Sequence, residues 1–181
     1  MRTQDWPSPF GKLSHTTTVR DFWGSFWHQQ LRYMLTQYSD AVTSTFGIRK
    51  GTNLSSYTKL YTAFLISGTF HAFSNLQMPS PVNITTSERT VGFFLFFLWQ
   101  MVAITLEDFV QWVVRTMKVL GFRRENTWLR SFVGWTWVTV VMWKSLPLVG
   151  DTFVRIRMGV EPPLPNSFSR SLVERWVPIP T

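Results

Sequence analysis

The 181-residue chain contains no cysteine, which excludes disulfides, thiolate zinc sites and a cysteine nucleophile. Charge is scarce as well: Asp, Glu, Lys and Arg make up 15% of the residues, where soluble domains carry roughly 25%. Although the net charge is +8, no long basic run is present, so no nucleic-acid partner is expected and the excess reads as a solvated, cytosol-facing surface. Pairs at the HxxxH metal-ligand spacing, a glycine-rich phosphate loop and a GxSxG nucleophile elbow are all missing from the sequence, and no metal or nucleotide-hydrolysing site is expected. The polar stretch from Met1 to Lys12, with two prolines, does not have the form of a secretory signal. Insertion into a membrane is therefore expected to use an internal helix.

Aromatic residues, by contrast, are abundant at 17%, with 10 Trp and 16 Phe. Such rings favour membrane cores and headgroup boundaries. Mean hydropathy is near zero because the apolar residues are gathered into blocks. The uncharged stretch from Leu60 to Met78 is long enough for the roughly 20 residues that cross a bilayer, and Pro79 and Pro81 end it. A second uncharged run extends from Thr90 to Leu106, and a third block, Ser131 to Gly150, is interrupted by Lys144 and Pro147. The chain thus reads as an all-α integral membrane protein. Two to three transmembrane helices are expected, at about 60–78, 90–106 and 131–149, the last being short, tilted or re-entrant.

The remaining segments are amphipathic. Val19, Phe22, Trp23, Phe26, Trp27, Leu31 and Met34 follow i, i+3, i+4 spacing, so 18–37 is expected to be one helix along the membrane interface, with Thr18 and Asp21 as its N-cap pair. Phe109 to Leu120 has a similar character, and the proline-rich tail over 161–181 is expected to be irregular. Arg49, Lys50 and Lys59 precede the first expected span, and Arg115, Lys118, Arg123 and Arg124 follow the second. The connection between those spans, with Arg89 as its basic residue, is expected on the non-cytosolic side. It contains Asn83-Ile84-Thr85, a glycosylation sequon.

Few side chains here can carry chemistry. His71 shares a helical face with Ser67, Gly68, Ser74 and Asn75, a polar stripe within an apolar segment. In lipid such a stripe must face protein or water, which leaves two readings open: a functional histidine or a packed interhelical contact. An imidazole is the natural proton acceptor near neutral pH. His28 lies on the polar side of the expected interfacial helix with Asp21, Ser25 and Arg32, where a solvated face is the plain reading, and His15 has no partner pattern. Glu107 and Asp108, at the end of the second run, read as helix-end acids in water.

Three stretches together, DWPSPFGKLS (Asp5 to Ser14), RDFWGSFWHQQLR (Arg20 to Arg32) and FLISGTFH (Phe64 to His71), resemble the wax-synthase-like branch of the membrane-bound O-acyltransferases, above all its fungal members. The resemblance covers about residues 1–160 and implies a multi-pass enzyme of the endoplasmic reticulum. Such an enzyme passes an acyl group, acetyl in many fungal members, from acyl-coenzyme A to a hydrophobic alcohol such as a terpenoid or meroterpenoid; plant relatives esterify long-chain alcohols. Acyl-coenzyme A is then a co-substrate, with no bound cofactor. By matching position His71 would be the active-site histidine and His28 the second motif residue. Ser67 and Asn75 are expected to position the oxyanion or substrate, and Arg32, Arg49 and Lys50 to meet coenzyme A phosphates. Family members carry several more helices before the WP motif, so the resemblance implies that this chain corresponds to a C-terminal portion or a short member. A non-catalytic role beside a larger acyltransferase is the alternative expectation.

Overall fold

The computed structural model describes residues 9–27, 29–78, 83–119 and 127–156, and among them every regular element is helical. The elements are α1 (Val19–Asp21), running directly into a π turn (Phe22–Phe26), α2 (Gln29–Thr45), α3 (Asn53–Leu76), α4 (Thr86–Val119) and α5 (Thr127–Arg155). Helix α4 is central, packing on α3 along one side and α5 along the other, while α2 lies against α3.

Local sequence explains where the helices start and stop. Thr18 caps α1 as expected, accepting the Asp21 amide at 2.9 Å, and Thr52 caps α3 by accepting from Ser55. Thr85 and Glu88 form a reciprocal capping box at the start of α4. Helix α2 ends in a Schellman turn: Ile48 N–H donates to the Thr43 carbonyl and Gly47 N–H to that of Ser44. Gly47 there has φ +62°, a left-handed conformation that a Cβ disfavours.

Four expectations need correction. The helix over 18–37 is in fact broken, because Trp27 is extended (φ −82°, ψ 133°) after the π turn. Gly24 and Ser25 are poor helix formers in mid-helix, and the wide turn directs Trp23 into the core, where it meets Phe64, Phe96 and Phe97. The span over 60–78 begins earlier, at Asn53, and is not among the helices long and apolar enough to cross a membrane; those are Thr86–Met117 of α4 and Trp128–Arg155 of α5. Its Ser, Thr, Tyr, His and Asn residues dilute the apolar run. The run over 90–106 and the amphipathic piece after it are one 34-residue helix, α4, which continues straight through Glu107 and Asp108. Finally, the block over 131–149 is the middle of a continuous 29-residue helix with Pro147 inside it, and so is not short.

Glu107 and Asp108 pass through because protein groups, not water, satisfy them. The buried Glu107 carboxylate accepts the Val19 amide at 2.7 Å and Trp137 Nε1 at 3.2 Å. Asp108 pairs with the Arg20 guanidinium and accepts the Tyr57 hydroxyl at 3.0 Å. Two adjacent acids on α4 therefore hold two adjacent residues of α1. Behind Trp23 a second buried network is complete: its Nε1 donates to Gln100 Oε1 at 3.2 Å, and Gln100 Nε2 donates to Ser145 Oγ at 2.8 Å. Gln100 and Ser145 are fully buried, so the π turn, α4 and α5 are locked by a polar network without loose ends. Residues 161–181 lie outside the described residues.

Candidate functional site

Among the described residues this packing leaves a half-open cavity of about 910 Å³. Its α3 wall is one helical stripe: Ser56, Lys59, Leu60, Ala63, Phe64, Ser67 and His71. The spacing of three and four residues keeps all seven on one face. Phe22, Trp23, Gly24 and Trp27 of the π-turn region form a second wall, and α2 adds Leu31, Arg32, Leu35, Thr36 and Ser39. Phe93, Phe96, Phe97 and Ile104 of α4, with Met142, Leu146, Val149 and Phe153 of α5, complete it.

His71 is half-buried in this wall. Its Nδ1 lies 2.7 Å from the Ser67 carbonyl. A carbonyl can only accept, so Nδ1 carries the proton, and in the neutral imidazole Nε2 is the lone-pair nitrogen. The ring is held by Phe97 at 5.0 Å and, nearly parallel, by Phe93 at 6.3 Å. An imidazole fixed in one tautomer against aromatic rings, on the wall of a largely apolar cavity, is arranged to accept a proton.

The opposite end is cationic. Arg20, Arg32 and Lys59 all line the cavity. Lys59 lies 12 residues before His71, about 18 Å along α3 at 1.5 Å per residue. Lys59 pairs with Asp40 at 2.5 Å and holds that carboxyl below the usual carboxylate range, while Arg20 is engaged by Asp108. Arg32 differs, since its partner among the described residues is the neutral Gln29, at 3.4 Å.

The polar stripe read from the sequence divides in two. Ser67 and His71 face the cavity, whereas Gly68 is buried against Phe97 and Asn75 is buried in the seam with α4. There Asn75 Nδ2 donates to the Arg89 carbonyl at 2.6 Å, and Arg89 returns a bond to the Asn75 carbonyl, also at 2.6 Å. Asn75 does not line the cavity; it clamps α3 to α4. Arg49 and Lys50 sit in the exposed turn between α2 and α3, and Asn83 is exposed just before α4, all outside the cavity wall. His28 lies outside the described residues. Trp23, Lys59, Arg20 and Phe153 were missed as wall residues. The first three carry a sequence signal, in the FWG motif and in the backward extension of the His71 stripe.

Residues 6–99 match the family described as membrane bound O-acyl transferase. This chain belongs to the membrane-bound O-acyltransferase family. Among curated relatives, the acetyltransferase sirH of Emericella nidulans is 35% identical over 154 residues, covering 81% of this chain and 32% of sirH. The acetyltransferase ple2 of Rhodocybe pseudopiperita is 32% identical, over 80% of this chain and 36% of its own length. The acetyltransferase eriL of Hericium erinaceus is 31% identical, over 96% of this chain and 43% of its own length. The chain thus spans about a third to two fifths of the length of these relatives. No solved structure matches it.

Proposed function

We propose that this chain forms the histidine-bearing part of an acyl-coenzyme A-dependent O-acyltransferase that acetylates a hydrophobic alcohol of terpenoid or meroterpenoid type. In this reading it is a multi-pass protein of the endoplasmic reticulum, with α4 and α5 crossing the membrane. The acceptor hydroxyl attacks the thioester carbonyl carbon and gives its proton to His71 Nε2. A C–O bond forms, the C–S bond breaks as the tetrahedral intermediate collapses, and the departing thiolate takes the proton. The Ser67 hydroxyl, one turn before His71 on the same cavity wall, is the nearest side-chain candidate to donate to the oxyanion. Arg32 receives the coenzyme A phosphates at the far end, assisted by Lys59 and Arg20 in place of Arg49 and Lys50. The apolar walls around His71 suit a hydrophobic acceptor.

The observation that carries this reading is the His71 Nδ1 contact with the Ser67 carbonyl at 2.7 Å, which reserves Nε2 of a cavity-lining imidazole for the substrate. Acetyl transfer from labelled acetyl-coenzyme A in membranes is the test. His71→Ala is expected to lower it by about 10²- to 10⁴-fold, the usual contribution of a general base, at unchanged protein abundance. Retained transfer in that variant would remove His71 as the base.

A further inference from the structure

Beyond His71 the cavity wall carries an aromatic pair from two helices. Phe93 of α4 is buried and nearly parallel to the His71 ring, and Phe153 of α5 meets Phe93 edge-on at 5.5 Å and 82°. Phe153 is held in place by the docking of α5 on α4. A Cβ on Gly92 would fall 2.1 Å from the Leu148 carbonyl oxygen and 2.8 Å from Thr152 Oγ1, so glycine is what allows the two backbones to approach this closely. One turn on, Arg155 reaches Asp151 at 2.7 Å and Glu88 at 3.4 Å, fastening the end of α5 to the start of α4. Phe153 also lies outside residues 6–99, the part matching the family, so this stop is built by a segment the match does not include.

We propose that Phe153 sets the length of the acyl group that this chain accepts. The inference rests on the O-acyltransferase reading above. With the donor's phosphates at the Arg32 end and its thioester carbon beside His71 Nε2, the coenzyme arm occupies the stretch between them. The part of the donor that projects past His71 is then the acyl chain, which runs at Phe93 and Phe153. An acetyl methyl stops short of the rings. Each added methylene must take space that the Phe153 ring fills, and although that ring is only half-buried, it is packed edge-on against the buried Phe93 on a docked helix and yields little because such contacts are close-packed. A single methylene in such a pocket discriminates by about 10- to 200-fold.

The full chain in detergent, with labelled acetyl-coenzyme A displaced by unlabelled acetyl-, butyryl-, hexanoyl- and octanoyl-coenzyme A, tests this without an acceptor alcohol. The wild type is expected to bind acetyl-coenzyme A at least tenfold more tightly than octanoyl-coenzyme A. Phe153→Ala is expected to reduce that ratio at least tenfold, and Phe153→Leu to fall between. Should Phe153→Ala fail to fold, Phe153→Leu, which keeps most of the apolar volume, carries the measurement. An unchanged ratio in the variants, or equal binding of all lengths by the wild type, overturns the role of Phe153 alone. Absence of acyl-coenzyme A binding by a folded wild type overturns the O-acyltransferase reading and this inference with it.

Discussion

Glu107 illustrates how a residue that reads as ordinary in sequence becomes a fixed point of the molecule. Its carboxylate holds the Val19 amide and the Trp137 indole, and the chain just after Val19 carries the Phe22 and Trp23 wall of the cavity. Glu107→Ala leaves both donors without an acceptor, at about 1–3 kcal/mol for each buried group. Glu107→Gln keeps an amide oxygen to accept from them and is expected to lose less. Thermal unfolding in detergent would order the three proteins wild type, Gln, Ala; equal melting of wild type and Ala would remove Glu107 as an anchor. This role was illegible because Val19 is 88 residues away, and only the folded chain brings them together. His71 and Ser67 were legible for the opposite reason. They are four residues apart, and helical geometry alone places the carbonyl of one beside the ring of the other. Asn75, on the same stripe, was misread because spacing tells which residues share a face but not which neighbour that face meets.

For the elements, the seam between α4 and α5 depends on Gly92. Gly92→Ala puts a methyl group against the α5 backbone, and overpacking of this kind costs about 1–3 kcal/mol. Gly150→Ala on α5 is the matching control, because a Cβ there meets nothing within 4 Å and alanine is favoured over glycine in a helix by up to about 1 kcal/mol. Unfolding temperature in detergent is expected to fall for the first and to hold or rise for the second. A Gly92→Ala protein as stable as Gly150→Ala would mean that the helices separate without cost. The existence of α3, α4 and α5 was legible from their apolar blocks. Their extents were not, because charge was taken as a terminator. Lys59 lies inside α3, neutralised by Asp40, and Glu107 and Asp108 lie inside α4, satisfied from α1, α3 and α5. The break at Trp27 was hidden for a related reason: the aromatic residues keep helical spacing while the backbone widens into a π turn.

Among the described residues two helices are long and apolar enough to cross a membrane, with 44% of the apolar window of α4 buried but only 17% of that of α5, so α5 is the more exposed of the two. The absence of cysteine makes the topology directly measurable. Asn83 and Thr116, both exposed and at opposite ends of α4, are expected to label from opposite sides of sealed microsomes as single Asn83→Cys and Thr116→Cys variants, with Thr116 on the cytosolic side. Labelling of both from one side would rule out α4 as a span. If α4 does span, its length makes it a ruler of depth. With Thr86 at one hydrocarbon boundary, Phe97 lies about 16 Å along the helix axis, near the midplane of a core about 30 Å thick. Asp108, about 33 Å along, reaches the far boundary. The ring packed against Phe97 is that of His71, and the groups gathered at Asp108 are Arg20 and Tyr57. In the proposed acyl transfer, His71 would then act at half-depth, where water is scarcest, while the cationic mouth opens at the headgroups. A water-soluble thioester carrier could dock there without leaving the aqueous phase, and its acyl end would reach an acceptor dissolved in oil.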